Sequence, residues 1–256
     1  MHLSAHSRGD VSGLIEENES FASYVFGEDA GVIVTCEHAS EGVPSGWAWP
    51  EQDARLRGTH WAFDLGAEAV ALEYAQAVKA RLVCARFSRL LADPNRPEDS
   101  PTLFRSICDG IPVALNASLS EADREARLSR LYRPLHREID RAAKLSTRAH
   151  TLFSIHSFTP LYECQPRAMQ VGVLFDKEES LASSLLLALD DAGFDVRANE
   201  PWSGKRDASG TGLMFVAETH AATHQKRALE LEVRQDLAVD PAFRARLIPV
   251  LARVLR

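Results

Sequence analysis

Short continuous apolar runs alternate along this chain with stretches of helical spacing. Val32–Cys36 is such a run, of the kind that fits a strand buried on both faces of a sheet. From Trp61 to Ala80, Leu65, Ala69, Leu72, Ala75 and Val78 recur at helical spacing among good helix formers, which predicts a helix. Arg81–Phe87 reads as the next strand. Ser120 opens a long helix in which Asp123 completes a capping-box-like start. Its apolar positions Leu128, Leu131, Leu135 and Ile139 follow at three- and four-residue steps, and Pro134 inside that pattern predicts a bend or a division. Leu152–Ile155 and Gln170–Phe175 read as strands, and Leu181–Ala192 as a helix stopped by Gly193. Phe194–Ala198 is a short strand, Asn199–Gly212 a turn-rich segment, Ala228–Val233 a last strand and Pro241–Leu255 a C-terminal helix. This alternation of strand and helix implies an α/β layered sheet.

Residues 1–29 are polar and weakly periodic, and read as a partly ordered extension. With no internal repeat and no long linker, residues 30–256 read as a single catalytic domain. Hydrophobic residues at 45% and charged residues at 25% match a soluble globule with a sizeable core. The net charge of −7 argues against a nucleic-acid partner, whose phosphates need a basic face. It leaves room for small anions, because a local arginine cluster dominates its own pocket. No apolar run nears the ~20 residues that span a bilayer, and the N-terminus lacks a secretory layout. The four cysteines, Cys36, Cys84, Cys108 and Cys164, form no C-x-x-C pair. A reducing cytoplasm is the expected setting, with Cys36 and Cys84 as small core residues.

Two of the apolar strands run into a histidine, Val32 to His38 and Leu152 to His156. Loops at strand ends converge on one crevice in open α/β sheets. Two histidines supply two ligands for a hydrolytic zinc, which takes a third, often a carboxylate, and leaves one position for water. Three acids compete for that place. Glu41 completes an H-x-x-E spacing with His38; Glu37 adjoins His38; Asp64 falls on the next helix, one turn after His60.

The segment Phe87–Arg96 follows a strand and holds Arg89, Asp93, Asn95 and Arg96. An arginine at each end of one loop holds a small carboxylate by paired, charge-assisted bonds. The bland account is a surface ion pair of Asp93 with Arg89 or Arg96, worth little. The last strand puts Glu230, Glu232 and Arg234 on one face. A solvated edge strand would explain that face, and so would a general base, Glu232, oriented by Arg234 or Asp236. Tyr132, Arg133 and His136 read as groups that line or brace the pocket.

Taken in order, Cys36-Glu37-His38-Ala39-Ser40, Ser88-Arg89 with Asp93-Pro94-Asn95-Arg96, Tyr132-Arg133-Pro134-Leu135-His136, Ile155-His156-Ser157 and Glu230 to Asp236 resemble the N-formylglutamate amidohydrolase family. The likeness runs from about Val32 to the C-terminal helix. It implies a mixed, largely parallel sheet between helices, a zinc-exopeptidase-like (phosphorylase/hydrolase-like) fold shared with aspartoacylases. It implies one Zn2+, or another divalent metal, on His38, Asp64 and His156. It also implies Glu232 as general base, Arg89 as the group polarising the scissile carbonyl, and Asn95, Arg96 and Arg234 at the substrate.

The expected activity is hydrolysis of an N-formyl or similar N-acyl group from an amino acid such as N-formylglutamate. A carboxypeptidase-like or N-acyl amino acid deacylase is the alternative within enzymes. A non-catalytic carboxylate-binding or sensing protein is the alternative of another class. The expected partner is a small N-acyl amino acid, with no nucleic acid and no membrane, for a cytoplasmic monomer or homodimer.

Overall fold

The computed structural model describes residues 13–162, 164–205 and 214–256. In chain order the first half runs β1 (Leu14–Glu17), β2 (Phe21–Val25), β3 (Val32–Cys36), α1 (Ala67–Val78), β4 (Arg81–Ala85), β5 (Ile107–Cys108), β6 (Ile111–Pro112), α2 (Glu121–Arg127) and α3 (Arg133–Leu145). The second half runs β7 (Thr151–Phe158), β8 (Leu161–Tyr162), β9 (Gln165–Pro166), β10 (Val171–Leu174), α4 (Glu179–Asp191), β11 (Val196–Ala198), α5 (Phe215–Thr223), β12 (Arg227–Arg234), α6 (Gln235–Ala238) and α7 (Pro241–Val254).

One mixed sheet of eight strands, in the order β1-β2-β4-β3-β7-β12-β10-β11, forms the middle layer. Its centre, β4-β3-β7-β12, is parallel, and β2 and β10 pair antiparallel onto it. The pairs β5–β6 and β8–β9 are separate hairpins. Period-two alternation splits each central strand between two cores. Val32, Val34, Phe153, Ile155, Leu229, Leu231 and Val233 face a layer of α1, α4 and α7. On the other face, under α3 and α5, Ile33, Val83 and Leu152 form the apolar floor. The same face turns polar toward the strand ends, with Thr35, Ser154, His156, Glu230 and Glu232 all buried there. That row is the foundation of the site.

The fold thus belongs to the expected class, with local differences. Residues 14–25, read from sequence as an extension, contribute β1 and β2. Phe21, Ala22 and Tyr24 are buried against the sheet, while the exposed β1 carries Glu16 and Glu17 at the open edge. The helix expected from Trp61 starts only at Ala67, because Gly66 before it sits at φ 79, a left-handed backbone that breaks the helix. A Cβ at Gly66 would also meet the Ala238 carbonyl carbon at 2.6 Å. Its buried face is accordingly Val70, Ala71, Tyr74 and Ala75 rather than Leu65, Ala69 and Leu72. The long helix does divide near Pro134: α2 ends at Arg127, a wide turn spans Leu128–Tyr132, and Pro134 lies in the first turn of α3. The strand with two acids is central, not an edge. β12 lies between β7 and β10 with its middle fully buried.

Candidate active site

Three parallel strands deliver the chemistry. β3 leads into Glu37 and His38; β7 carries Ser154 and His156; β12 carries Glu230 and Glu232, with Glu232 beside His156 in register and Glu230 beside Ser154. His38 Nδ1 and His156 Nδ1 lie 3.1 Å apart, with ring centroids 4.8 Å apart. Asp64 reaches the same spot from the loop before α1, whose backbone N–H at Asp64 donates to the His38 carbonyl. Asp64 Oδ2 is 2.8 Å from His156 Nδ1 and 3.5 Å from His38 Nδ1.

These three atoms fit a metal. Tetrahedral zinc with bonds of ~2.0–2.1 Å sets its ligand atoms about 3.3 Å apart, and the triangle here has sides of 2.8, 3.1 and 3.5 Å. Each imidazole is also backed by a carboxylate on its far nitrogen. Asp93 Oδ1 is 2.7 Å from His38 Nε2, and Glu37 Oε2 is 3.1 Å from His156 Nε2, off the line of the N–H. The His38–Asp93 pair holds its ring and fixes the tautomer that leaves Nδ1 free to bind, while Glu37 supplies negative charge behind His156. Glu37 is itself held by Thr35 Oγ1 and Ser154 Oγ at 2.7 and 2.6 Å.

The field of the site draws positive charge. Burial alone would raise the Asp64 and Asp93 carboxyls. The neighbouring His38 and His156 for Asp64, and Arg89 and His38 for Asp93, hold both well below the usual range instead. Glu37 is brought to about 2 against its burial, by His156 and the two hydroxyls. His156 is raised although burial opposes it, because Glu230, Asp64 and Glu37 surround it. Glu230 is pushed up to about 7, and Glu232 is also pushed upward, in both cases by burial first and by neighbouring carboxylates next. Carboxyls that resist ionising beside a ring that prefers to be charged are short of a cation.

A cleft of about 210 Å3 opens over this cluster, lined by His38, Asp64, His156, Glu230, Glu232, Arg89, Asn95, Arg96 and several aromatic residues. The sequence model of the N-formylglutamate amidohydrolase family matches residues 30–239. This chain belongs to that family. Among solved structures, gene product Atu2144 from Agrobacterium tumefaciens is similar at 30% identity and a TM-score of 0.83, over 93% of both chains. N-formylglutamate amidohydrolase from Ralstonia eutropha JMP134 aligns over 93% of this chain and 97% of its own, at 18% identity and TM-score 0.72. That second likeness speaks to the fold alone. No curated protein matches the chain. As a member of the N-formylglutamate amidohydrolase family, the protein is an amide-bond hydrolase.

Within this family member the loop after β4 does not form a surface ion pair. Asp93 is buried and accepts from Arg89 Nε and Nη2 at 3.1 and 2.6 Å while also holding His38. Arg89 Nη1 keeps only a loose ion pair with Asp64 at 3.6 Å. Asn95 is buried at the cleft, and its side-chain oxygen accepts from the Val216 N–H at the start of α5. Arg96 lines the cleft, and its Nη1 donates to the Asn95 carbonyl. Tyr132 and His136 brace this loop from behind, through Arg96 O and Pro94 O, whereas Arg133 pairs with Glu98 and Glu125.

Two sequence readings are not brought to the site. Arg234 lies outside the cleft lining, its guanidinium tied to Asp236 and to the carbonyls of Arg167, Ala168 and Met169. Arg234 still pairs in register with Phe158 at the end of β12, but its long side chain turns aside to those carbonyls and to Asp236 just before the backbone enters α6. Glu41 accepts from the Gly58 N–H, which makes its H-x-x-E spacing a loop contact, and Glu37 lies behind His156. Sequence reasoning missed three residues on one wall of the cleft: Arg105 and Trp61, stacked with 5.3 Å from guanidinium to ring centroid, and Tyr162, which meets Trp202 edge to face at 5.5 Å.

Proposed function

We propose that this chain removes an N-formyl, or similar N-acyl, group from an amino acid such as N-formylglutamate, with one zinc ion held by His38, Asp64 and His156. The triangle of His38 Nδ1, His156 Nδ1 and Asp64 Oδ2 is the observation that carries the reading. Zinc bound there supplies a Lewis acid for the amide carbonyl and lowers the pKa of a coordinated water to about 7.

The chain's own groups do the rest. Glu232 takes a proton from the attacking water and returns it to the departing amino nitrogen. Its carboxyl, raised by burial, would be brought into the ionised form that this task needs by a divalent charge held on His38, Asp64 and His156. Arg89 Nη1 donates to the carbonyl oxygen as negative charge builds on it. Asn95 and Arg96 hold the carboxylate of the amino acid, so that the amide lies over the three ligands. Arg105 stands beside Arg96 in the same cleft, which suits an anionic substrate despite the chain's net charge of −7. The aromatic wall of Trp61, Tyr162 and Trp202 favours, as a second reading, an acyl group larger than formyl.

The reading includes a reducing, cytoplasmic setting. Cys36 and Cys84 are paired in register on β3 and β4 as free thiols. Among the described residues, no helix is long and apolar enough to cross a membrane. Elemental analysis of the purified protein, with a screen of N-formyl and N-acetyl amino acids, tests the proposal. It expects about one zinc per chain and release of the acyl group from a carboxylate-bearing substrate. Bound zinc with ligand binding but no turnover would favour a carboxylate-binding protein.

A further inference from the structure

α3 and α5 meet through four polar side chains at helical spacing: His136 and Asp140 on α3, His220 on α5 and His224 at its C-terminal cap. His136 Nε2 is 3.1 Å from the Pro94 carbonyl oxygen, and its Nδ1 is 2.9 Å from His220 Nε2. His220 Nδ1 is 2.8 Å from Asp140 Oδ1, which also lies 3.1 Å from His224 Nε2.

The protons of this chain can be counted. A carbonyl and a carboxylate only accept, so Pro94 O needs a proton on His136 Nε2 and Asp140 needs one on His220 Nδ1. The contact between the two rings takes one more. Three protons on four ring nitrogens make the pair a monocation. Burial, and then the charge of His220, push His136 down to about 4, which makes His136 the neutral member. Its neutral ring lies against Tyr132, at 4.2 Å between centroids, with the Phe215 edge at 5.9 Å.

The Asp93–Arg96 loop is suspended from the same two helices. Val216 N–H donates to Asn95 Oδ1 at 3.0 Å, and Tyr132 Oη to the Arg96 carbonyl at 2.7 Å. Neither His136 nor His220 lines the cleft. We propose that His136 and His220 are positioning residues, an Asp140–His220–His136 chain that fixes the Pro94 carbonyl and thereby the reach of Asn95 and Arg96 toward the substrate carboxylate. This rests on the reading of that loop as the carboxylate holder.

The test uses the zinc-loaded full chain and has two arms. In 15N-histidine NMR, His220 shows protons on both ring nitrogens and His136 shows none on Nδ1. In kinetics on N-formylglutamate, His220→Gln keeps an N–H toward His136 but loses the charge and the Asp140 pair. Its KM rises about tenfold, the worth of roughly one hydrogen bond at the loop, with kcat within about twofold and zinc content unchanged. Asp140→Asn, at a half-exposed side chain that folding tolerates, moves KM the same way by a smaller factor. A single ring proton on His220, an unchanged KM in both variants, or a fall in kcat at constant KM would overturn the proposal. If the wild type cleaves no N-acyl amino acid, the functional reading fails, while the ring-proton count still decides the histidine chain.

Discussion

Asp93 is the side chain whose loss tests most of the site at once. Its Oδ1 faces His38 Nε2 at 2.7 Å and the Asn95 N–H at 3.0 Å, and its Oδ2 takes the Arg89 fork at 2.6 and 3.1 Å. In Asp93→Asn one of those two oxygens becomes an NH2, so either His38 or Arg89 meets a donor. Losing the outer partner of a ligating histidine costs 10–100-fold in metal affinity, about 1.4–2.8 kcal/mol. Stripping a buried cation of its partner costs roughly 3–5 kcal/mol. The lower end applies, since Arg89 keeps Asp64 at 3.6 Å and its side chain is 19% exposed. At about 2–4 °C per kcal/mol for a chain of this size, Tm should fall by roughly 6–12 °C. Arg89 and His38 hold the Asp93 carboxyl below its unfolded value of about 3.9, so its stabilisation is complete above that pH and lost on acidification. The gap in Tm between wild type and variant must therefore narrow as pH falls below about 4. Chelator-competition titration and calorimetry of the metal-free protein measure the two effects. A zinc affinity within about twofold of wild type would refute the role given to Asp93.

Four further outcomes are expected. Glu232→Gln should bind zinc normally and lose turnover by about three orders of magnitude or more, checked by single-turnover acyl release. Burial raises the Glu230 carboxyl to about 7, above its unfolded ~4.3, so the metal-free fold loses stability as pH rises from about 4 to 7. Glu230→Gln should abolish that loss, of the order of 3 kcal/mol, and change little at pH ~4, seen in Tm measured against pH. Arg96→Ala should raise KM about 10–100-fold for a substrate with a free carboxylate but not for its amide-capped analogue. Arg234→Ala, whose guanidinium faces carbonyls outside the cleft, should leave both KM values unchanged.

The site was more legible than the fold's margins. His156 and Glu232 reach the cleft as the strand-end position and the alternation placed them, and both lie on the polar face of a central strand, a burial that the alternation did not reveal. Spacing alone could not choose Asp64 over Glu41 and Glu37, and only the family resemblance pointed to it, because its reach depends on the loop that ends at Gly66. Arg234 obeyed the alternation and its guanidinium still lies outside the cleft, because a period does not fix where a long, flexible side chain reaches. β2 was hidden by polar flanks, and its burial comes from a partner strand some 60 residues later in the chain. α5 gave no signal, since Phe215–Thr223 has no distinct apolar face and is placed by α3, β7, β12 and the Asn95 cap. The clamp of Asp93 on both His38 and Arg89 joins residues 55 and 4 positions apart, a geometry only the sheet creates.

A crystal structure of the zinc-loaded protein at the zinc absorption edge tests the account most directly. The account predicts one anomalous peak bonded to His38 Nδ1, His156 Nδ1 and Asp64 Oδ2 at about 2.0–2.2 Å, with a fourth position open to the cleft. A peak elsewhere, ligation through the Nε2 atoms that face Asp93 and Glu37, or no ion between the two imidazoles at saturating zinc would contradict it.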